Sequence, residues 1–338
     1  MQRRTNSSRL RGRTTSHLLL LALVLALAPR AAAQDGTGAA SNEGALFLLL
    51  PVGAQAVSLG RAMTAAEGSE AAFWNPAGLA GVSRSQAVIF RGDHVVGTAT
   101  ALSTLFAKPG IGTLGASYLL LDAGELEQRD ENGIFIGTIT IRNHLGVVSA
   151  AARLLEGLSA GVSLKLIQFR LSCRGICQPD PGTTATTYGV DAGVQSTPFQ
   201  RLRLGAMIAH LGPRFQALNA EQADPLPTRI RLAAAYDVVN ALTGNDDLSG
   251  WAAVEVQDRL RDPGSLSYYL GTEFTAGRED ALSLRAGYVI SDLEREDGAR
   301  VGLGLRYERF ELSIAKSLVV STLTGETEPV HVTFAILF

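Results

Sequence analysis

Five histidines and two cysteines are the side chains most able to do chemistry on their own in this 338-residue chain. His17 precedes an apolar run, and His94, His144, His210 and His331 are scattered. No H-E-x-x-H pair and no paired cysteine sets supply zinc-ligand spacing, and no D-x-D-x-D-G loop suits calcium. A G-x-S-x-G nucleophile turn and a P-loop are both missing. Gly302-Leu303-Gly304 is a strand glycine pair with no helix after it, so it is not a nucleotide fingerprint. The expectation is a non-enzymatic chain with no catalytic residue, no cofactor and no metal. Cys173-Arg174-Gly175-Ile176-Cys177 is the one discrete chemical feature, and its reading depends on the compartment.

The N-terminus points to export. Arg3, Arg4, Arg9, Arg11 and Arg13 precede the unbroken apolar run Leu18 to Ala28, and Ala31-Ala32-Ala33 follows before Gln34. Residues 1–33 are expected to be a secretory signal peptide, because the run is too short to span a bilayer; an N-terminal anchor is the lesser reading. Losing the six arginines of residues 1–33, which hold no acid, takes the formal net charge from −2 to −8. An exported acidic chain without a basic stripe is no nucleic-acid binder. In an oxidising compartment Cys173 and Cys177 are expected to form a disulfide that ties a short outer loop, with free thiols and then metal binding as the lesser readings.

Behind the signal, charged residues make up 18% of the sequence against roughly 25% in soluble domains, while glycine is high at 36 residues. No later apolar run approaches the length of a spanning helix. This combination favours an outer-membrane β-barrel or a secreted all-β protein. Residues 34–84 differ from the rest: they are rich in small residues and show no period-2 pattern. They end in Phe73-Trp74-Asn75-Pro76-Ala77-Gly78-Leu79. Pro76 fixes its own φ and pushes Asn75 out of the helical region, Asn75 can close the turn with its amide, and Gly78 is expected to allow a positive φ.

From residue 85 on, apolar and polar residues alternate as they do in strands with two unlike faces. Leu158, Ala160, Val162, Leu164 and Leu166 alternate with Ser159, Gly161, Ser163 and Lys165, and Leu282, Leu284 and Ala286 with Ser283 and Arg285. About fourteen such strands fit between residues 86 and 338, most of bilayer-crossing length. The tight connections are expected at 151–157, 198–201, 277–280 and 307–310, and the long ones at 123–140, 171–184, 211–227, 240–249, 259–266, 291–298 and 320–328. The polar faces carry Lys165, Asp191, Arg203, Arg229, Arg231, Glu255, Glu273, Arg285 and Arg306. These are surface residues if the apolar face is a buried core, and lumen-lining residues if it meets lipid. The last strand favours lipid: Val330, Val332, Phe334, Ile336 and Phe338 share one face, and the chain ends on Phe338. That ending is similar to the recognition signal read by the outer-membrane barrel-insertion machinery. The seven tyrosines and Trp251 are expected in interfacial girdles.

Four stretches in order resemble the PorV/PorQ family, within the wider FadL-like outer-membrane barrels. Phe47-Leu48-Leu49-Leu50-Pro51-Val52-Gly53-Ala54-Gln55-Ala56 resembles its opening block, with Gln55 where arginine is usual. Phe73 to Ala80 resembles its W-N-P-A-G-L signature, whose N-P-A part also marks FadL-like transporters. Ala209-His210-Leu211-Gly212-Pro213 followed by Asp224-Pro225-Leu226-Pro227 resembles its N-L-G-P…D-P-L-P connection, with His210 where asparagine is usual. The end at Phe338 is the fourth. The resemblance implies an all-β transmembrane antiparallel barrel of about fourteen strands at 85–338, with residues 34–84 as a plug in its lumen, hinged at Phe73–Gly78. It implies a transport or type IX secretion-associated role in the bacterial outer membrane. The partners would be lipid, the insertion machinery, and secreted cargo or secretion-complex subunits. The FadL side offers the alternative of a channel for hydrophobic small molecules, and a soluble exported β-rich binding module remains as a third reading.

Overall fold

The computed structural model describes residues 43–94, 96–176, 182–216, 223–291, 297–319 and 330–338. Fourteen antiparallel strands close on themselves. They are β1 (Gln86–His94), β2 (Gly97–Lys108), β3 (Gly112–Arg129), β4 (Phe135–Leu155), β5 (Leu158–Gly175), β6 (Gly182–Phe199), β7 (Leu202–Leu211), β8 (Arg229–Asp237), β9 (Leu248–Arg259), β10 (Ser267–Ala276), β11 (Ala281–Ser291), β12 (Gly298–Tyr307), β13 (Phe310–Ser317) and β14 (Val330–Leu337). Each strand pairs with its sequence neighbours, and β1 closes the ring on β14 from Gln86↔Leu337 to Arg91↔Val332. Closure leaves no unpaired edge, which is what a spanning sheet requires. Among the described residues no helix is long and apolar enough to cross a membrane; the crossing elements are strands.

The two faces settle which solvent the barrel meets. The large apolar side chains of the alternating pattern point outward and stand exposed: Leu102, Phe106, Val148, Leu164, Leu166, Leu284 and Leu303 are each more than 40% accessible. Many inward positions are small or polar, with Ser103 bonded to Ser117 and Ser149 to Ser163 across neighbouring strands, and the apolar ones, such as Leu119, Leu145 and Ile167, are buried against the interior. A soluble sandwich buries its apolar face; this chain does the reverse, which excludes the soluble binding module and gives a transmembrane barrel. Phe334, Ile336 and Phe338 lie on this outward face, with Phe338 anchored by its N–H to Ser85 O at 2.8 Å. Tyr118, Tyr188, Tyr288 and Tyr307 are outward and exposed, but Tyr269 and Trp251 point into the barrel and do not belong to a girdle.

The barrel is taller on one side. β3 to β6 run 18 to 21 residues, well beyond the roughly 9–11 needed to cross on a tilt, whereas the other strands have 8 to 12. Most of 123–140 and 171–184, expected as loops, is therefore strand. The outward face changes character along this extension. Below it the outward face is apolar, as at Val148, Leu164 and Leu166; on it Asp122, Arg142 and Arg170 face outward, with Arg142 bonded to Asp122 at 2.9 Å, while Leu126, Ile139, Ile141 and Leu171 face inward. A bulge between Asp122 and Glu125 in β3 accompanies the switch. The segment 240–249, expected among the long connections, lies at the short-turn end and carries part of a small helix, α2 (Val238–Thr243), capped by Asp237.

Candidate functional site

Residues 43–84 run through the barrel interior as short turns and one five-residue helix, α1 (Ala54–Ser58). Its turns close many backbone bonds within the segment, and the N–H and C=O groups left over must find partners elsewhere. They do so through a few inward side chains. Asn75 is fully buried: its Oδ1 accepts from Ala77 N at 3.1 Å, and its Nδ2 donates to Thr64 O at 2.7 Å and to Val194 O of β6 at 3.3 Å. Pro76 then opens a 3-10 turn, Pro76–Gly81, where its missing N–H costs nothing. Gly78 is not in the left-handed region; it is needed because a Cβ there would lie 2.4 Å from Ala66 O. Trp74 is buried, donates Nε1–H to Val52 O at 2.9 Å and carries Arg231 of β8 over its ring at 4.9 Å. Phe73 and Ala77 pack against the neighbouring turns.

Sequence reasoning did not single out Gln195 or Glu70, and it named Glu255 only as a polar-face residue. Gln195 donates to Thr64 O and Ala66 O at 3.0 and 2.8 Å, and Glu255 accepts from Thr64 N at 2.7 Å. Glu70 takes the place of an N-cap for α1: it accepts from Gln55 N at 3.2 Å, from Ala56 N at 2.9 Å, and from the Thr333 hydroxyl at 2.8 Å. Burial holds the Glu70 carboxyl above its usual range, against the lowering pull of these donors and of Arg285. An acid whose proton is held more tightly in the folded state adds most to stability below its free-chain pKa, and that contribution is lost as pH rises through the folded value. Protease protection of residues 43–84 is therefore expected to strengthen from neutral pH toward about pH 4, and Glu70→Gln should flatten that response. An unchanged slope in the variant would assign the effect to another group.

Inward glycines receive the segment's backbone. A Cβ on Gly161 would sit 2.4 Å from the Pro76 carbonyl carbon, one on Gly205 2.2 Å from Thr64 O, and one on Gly287 2.1 Å from Gly60 N. The signal was present as glycines at inward parity, but nothing in one sequence says what approaches them.

The polar residues expected in the lumen sort into pairs. Lys165 bonds Asp191 at 2.5 Å, both about 1% exposed, and its Nζ lies 3.1 Å from His210 Nδ1. Arg229 holds Glu43 through two bonds of 2.8 Å. Arg203 pairs with Glu67 at 2.8 Å and stacks over Trp251 at 4.0 Å. Glu273 pairs with Arg285, and Arg306 pairs with Glu311 near the short-turn rim. Cys173 lies near the end of β5 on the tall wall and is disulfide-bonded, whereas Cys177 lies outside the described residues.

Three of the spaces inside the barrel are lined by these residues. At the long-connection end is a chamber of about 470 Å3 with apolar walls from Phe47, Leu50, Leu121, Ile141, Phe169 and Phe215. Below it is a neck of about 20 Å3 between Phe47, Leu50, Trp74, Lys165, His210 and Arg231, room for about one water. At the short-turn end is a polar vestibule of about 430 Å3 lined by the Arg203, Arg285 and Arg306 pairs. The arrangement can hold an apolar molecule above a closed neck. It offers no nucleophile with a base, and among the described residues no group of three metal-ligating side chains.

No protein-family model matches the chain, and no curated protein matches it. Solved structures do. The toluene transporter TbuX of Ralstonia pickettii matches with a TM-score of 0.57 at 13% identity, over 85% of this chain and 98% of that one. The CymD monoaromatic hydrocarbon channel matches with a TM-score of 0.57 at 12% identity, over 86% and 98%. The Pseudomonas putida toluene transporter TodX gives 0.52 at 14%, over 84% and 96%. The chain shares the closed fourteen-strand barrel fold of these transporter structures. Identities this low establish the fold and nothing finer. The barrel fold that the sequence resemblance implied agrees with these neighbours, and none of them is named as a PorV/PorQ protein.

Proposed function

We propose that the chain is an outer-membrane channel for neutral hydrophobic small molecules, non-enzymatic, with residues 34–84 as the plug that closes it. The observation that carries this reading is the apolar chamber at one mouth of a lipid-facing barrel, stopped by a neck that the N-terminal segment forms. Short turns face the periplasm in barrels of this type, so the chamber opens to the outside and the polar vestibule faces inward. The tall wall extends the apolar surface outward through Ile139, Ile141 and Leu171, where a dilute apolar solute loses contact with water before it reaches the chamber. The fold-level neighbours named as toluene and hydrocarbon transporters support the same class. None of the solved structures described above is named for secretion, so they lend the secretion-associated role no support.

Residues 1–33 would be the signal removed on export, and Phe334, Ile336 and Phe338 would present the insertion signal on β14. The test is uptake of radiolabelled toluene into proteoliposomes holding the purified barrel. Uptake that exceeds empty vesicles and saturates is expected, and a rate equal to that of empty vesicles would sink the channel. A chain lacking Phe338 should fail to reach the heat-modifiable folded form; normal folding of it would remove Phe338 from the insertion signal.

A further inference from the structure

The connection between β7 and β8 brings an aromatic ring into the chamber from a third direction. Leaving β7 through Gly212 and Pro213, the chain turns inward, and Phe215 and Asp224 form an isolated antiparallel bridge with N–H to O distances of 2.6 and 2.9 Å. The bridge pins the backbone on both sides of Phe215. Its side chain is buried at 7% exposure, with the ring edge-on to Phe169 of β5 at 6.4 Å and 86°. On its other side stands the start of the N-terminal segment. Gly44 N donates to Pro225 O at 2.9 Å, and a Cβ on Gly44 would meet Phe215 Cδ1 at 3.1 Å. The ring therefore fills the width between the barrel wall and the N-terminal segment.

We propose that Phe215 is the size-selecting residue of the chamber. This assignment rests on the channel reading. Of the three rings that line the chamber, Phe169 is held by strand pairing on both sides, and Phe47 also walls the neck, so changing either alters more than the chamber. Phe215 lines the chamber alone. Its ring bounds the space a ligand can take, and an apolar cavity discriminates by what its walls exclude. Removing the phenyl group opens space between Phe169 and Gly44 for a second fused ring, and a larger side chain narrows it. Glycine at 44 lets the ring lie against backbone with no intervening side chain, so the width set by Phe215 is not relieved by a neighbour's rotation.

The experiment measures equilibrium binding of toluene and of naphthalene to the full barrel in lipid nanodiscs, beside uptake of both into proteoliposomes. Phe215→Ala should raise the naphthalene-to-toluene affinity ratio at least about fivefold, and Phe215→Trp should lower it. Phe215→Leu keeps an apolar contact on Phe169 and should give an intermediate ratio even if the alanine variant fails to fold. An unchanged ratio in folded variants overturns the assignment. Binding with the expected shift but no uptake by wild type sinks the channel and leaves Phe215 as the selector of a binding site. A wild-type barrel that binds neither compound overturns both.

Discussion

Gly161→Val is expected to leave the barrel wall standing and to unseat the N-terminal segment from it. Gly161 lies in β5, in register with Ala151 of β4 and Gly193 of β6, and faces inward. A Cβ there would come within 2.4 Å of the Pro76 carbonyl carbon and 2.5 Å of Ala77 N. Both atoms belong to the backbone of the Asn75-Pro76-Ala77 turn, so no side-chain rotation relieves the clash. Overpacking against yielding side chains costs about 1–3 kcal/mol, and backbone that cannot yield places the cost at the top of that range or above it. Valine suits a strand, so the wall itself loses nothing in local preference. With the turn displaced, Asn75 leaves Val194 O, and the hydrogen bonds of Gln195 to Thr64 O and Ala66 O are drawn apart. Rapid proteolysis of residues 43–84 and a rise in planar-bilayer conductance are expected, with heat-modifiable migration retained. Gly146→Val is the control: Gly146 faces outward, and its nearest neighbour would be Leu166 Cβ at 3.9 Å, an ordinary contact. Equal protease protection in the two variants would show that the turn is not seated on Gly161.

The barrel was legible because lipid outside and polar groups inside impose strict alternation wherever a strand crosses the bilayer. Residues 158–166 and 282–288 show it without interruption. The pattern faded where the environment changed. At 123–129 and 135–142 the outer face carries polar residues such as Glu125, Glu127 and Arg142; Leu126, Ile139 and Ile141 take the inner face, and a bulge after Asp122 breaks the period, so these stretches resemble loop in the sequence. The N-terminal segment was recognisable by small residues and by Asn75-Pro76, but its seat was not. A glycine such as Gly161 or Gly205 shows no partner in one sequence, because the approaching backbone is 85 or more residues away along the chain. Ionic partners were hidden for the same reason: Lys165 and Asp191 were both visible on polar faces, but only the β5–β6 register, with Ser163 opposite Asp191, sets them diagonally within reach. His210 was visible as an oddity where asparagine is usual. Its φ of 59° supplies the reason, since asparagine tolerates the left-handed region better than histidine does.

Asp191→Ala is expected to destabilise the barrel by about 3–5 kcal/mol, the cost of leaving a buried charge without its counter-ion. Lys165 is about 1% exposed, and Asp191 Oδ2 lies 2.5 Å from its Nζ. Asp191 Oδ1 also accepts the His210 N–H at 2.8 Å, and Thr228 donates to His210 O at 3.0 Å. The carboxylate thus does two things: it neutralises Lys165, and it holds the backbone of a left-handed residue at the point where β6 and β7 slip register between Val190 and Ala192. The two roles separate in a double variant. Lys165→Met with Asp191→Leu removes both charges and should recover most of the loss, because apolar replacements of a buried ion pair are often neutral. It cannot restore an acceptor for His210 N–H, so a deficit of about 1–3 kcal/mol should remain. Urea unfolding of the barrel in lipid vesicles reads both quantities, with the midpoint moving and the slope constant if only stability changes. Equal losses in the single and double variants would place the whole effect in the His210 bulge. A double variant at wild-type stability would place it in the ion pair, and the left-handed turn would then need no support beyond Thr228.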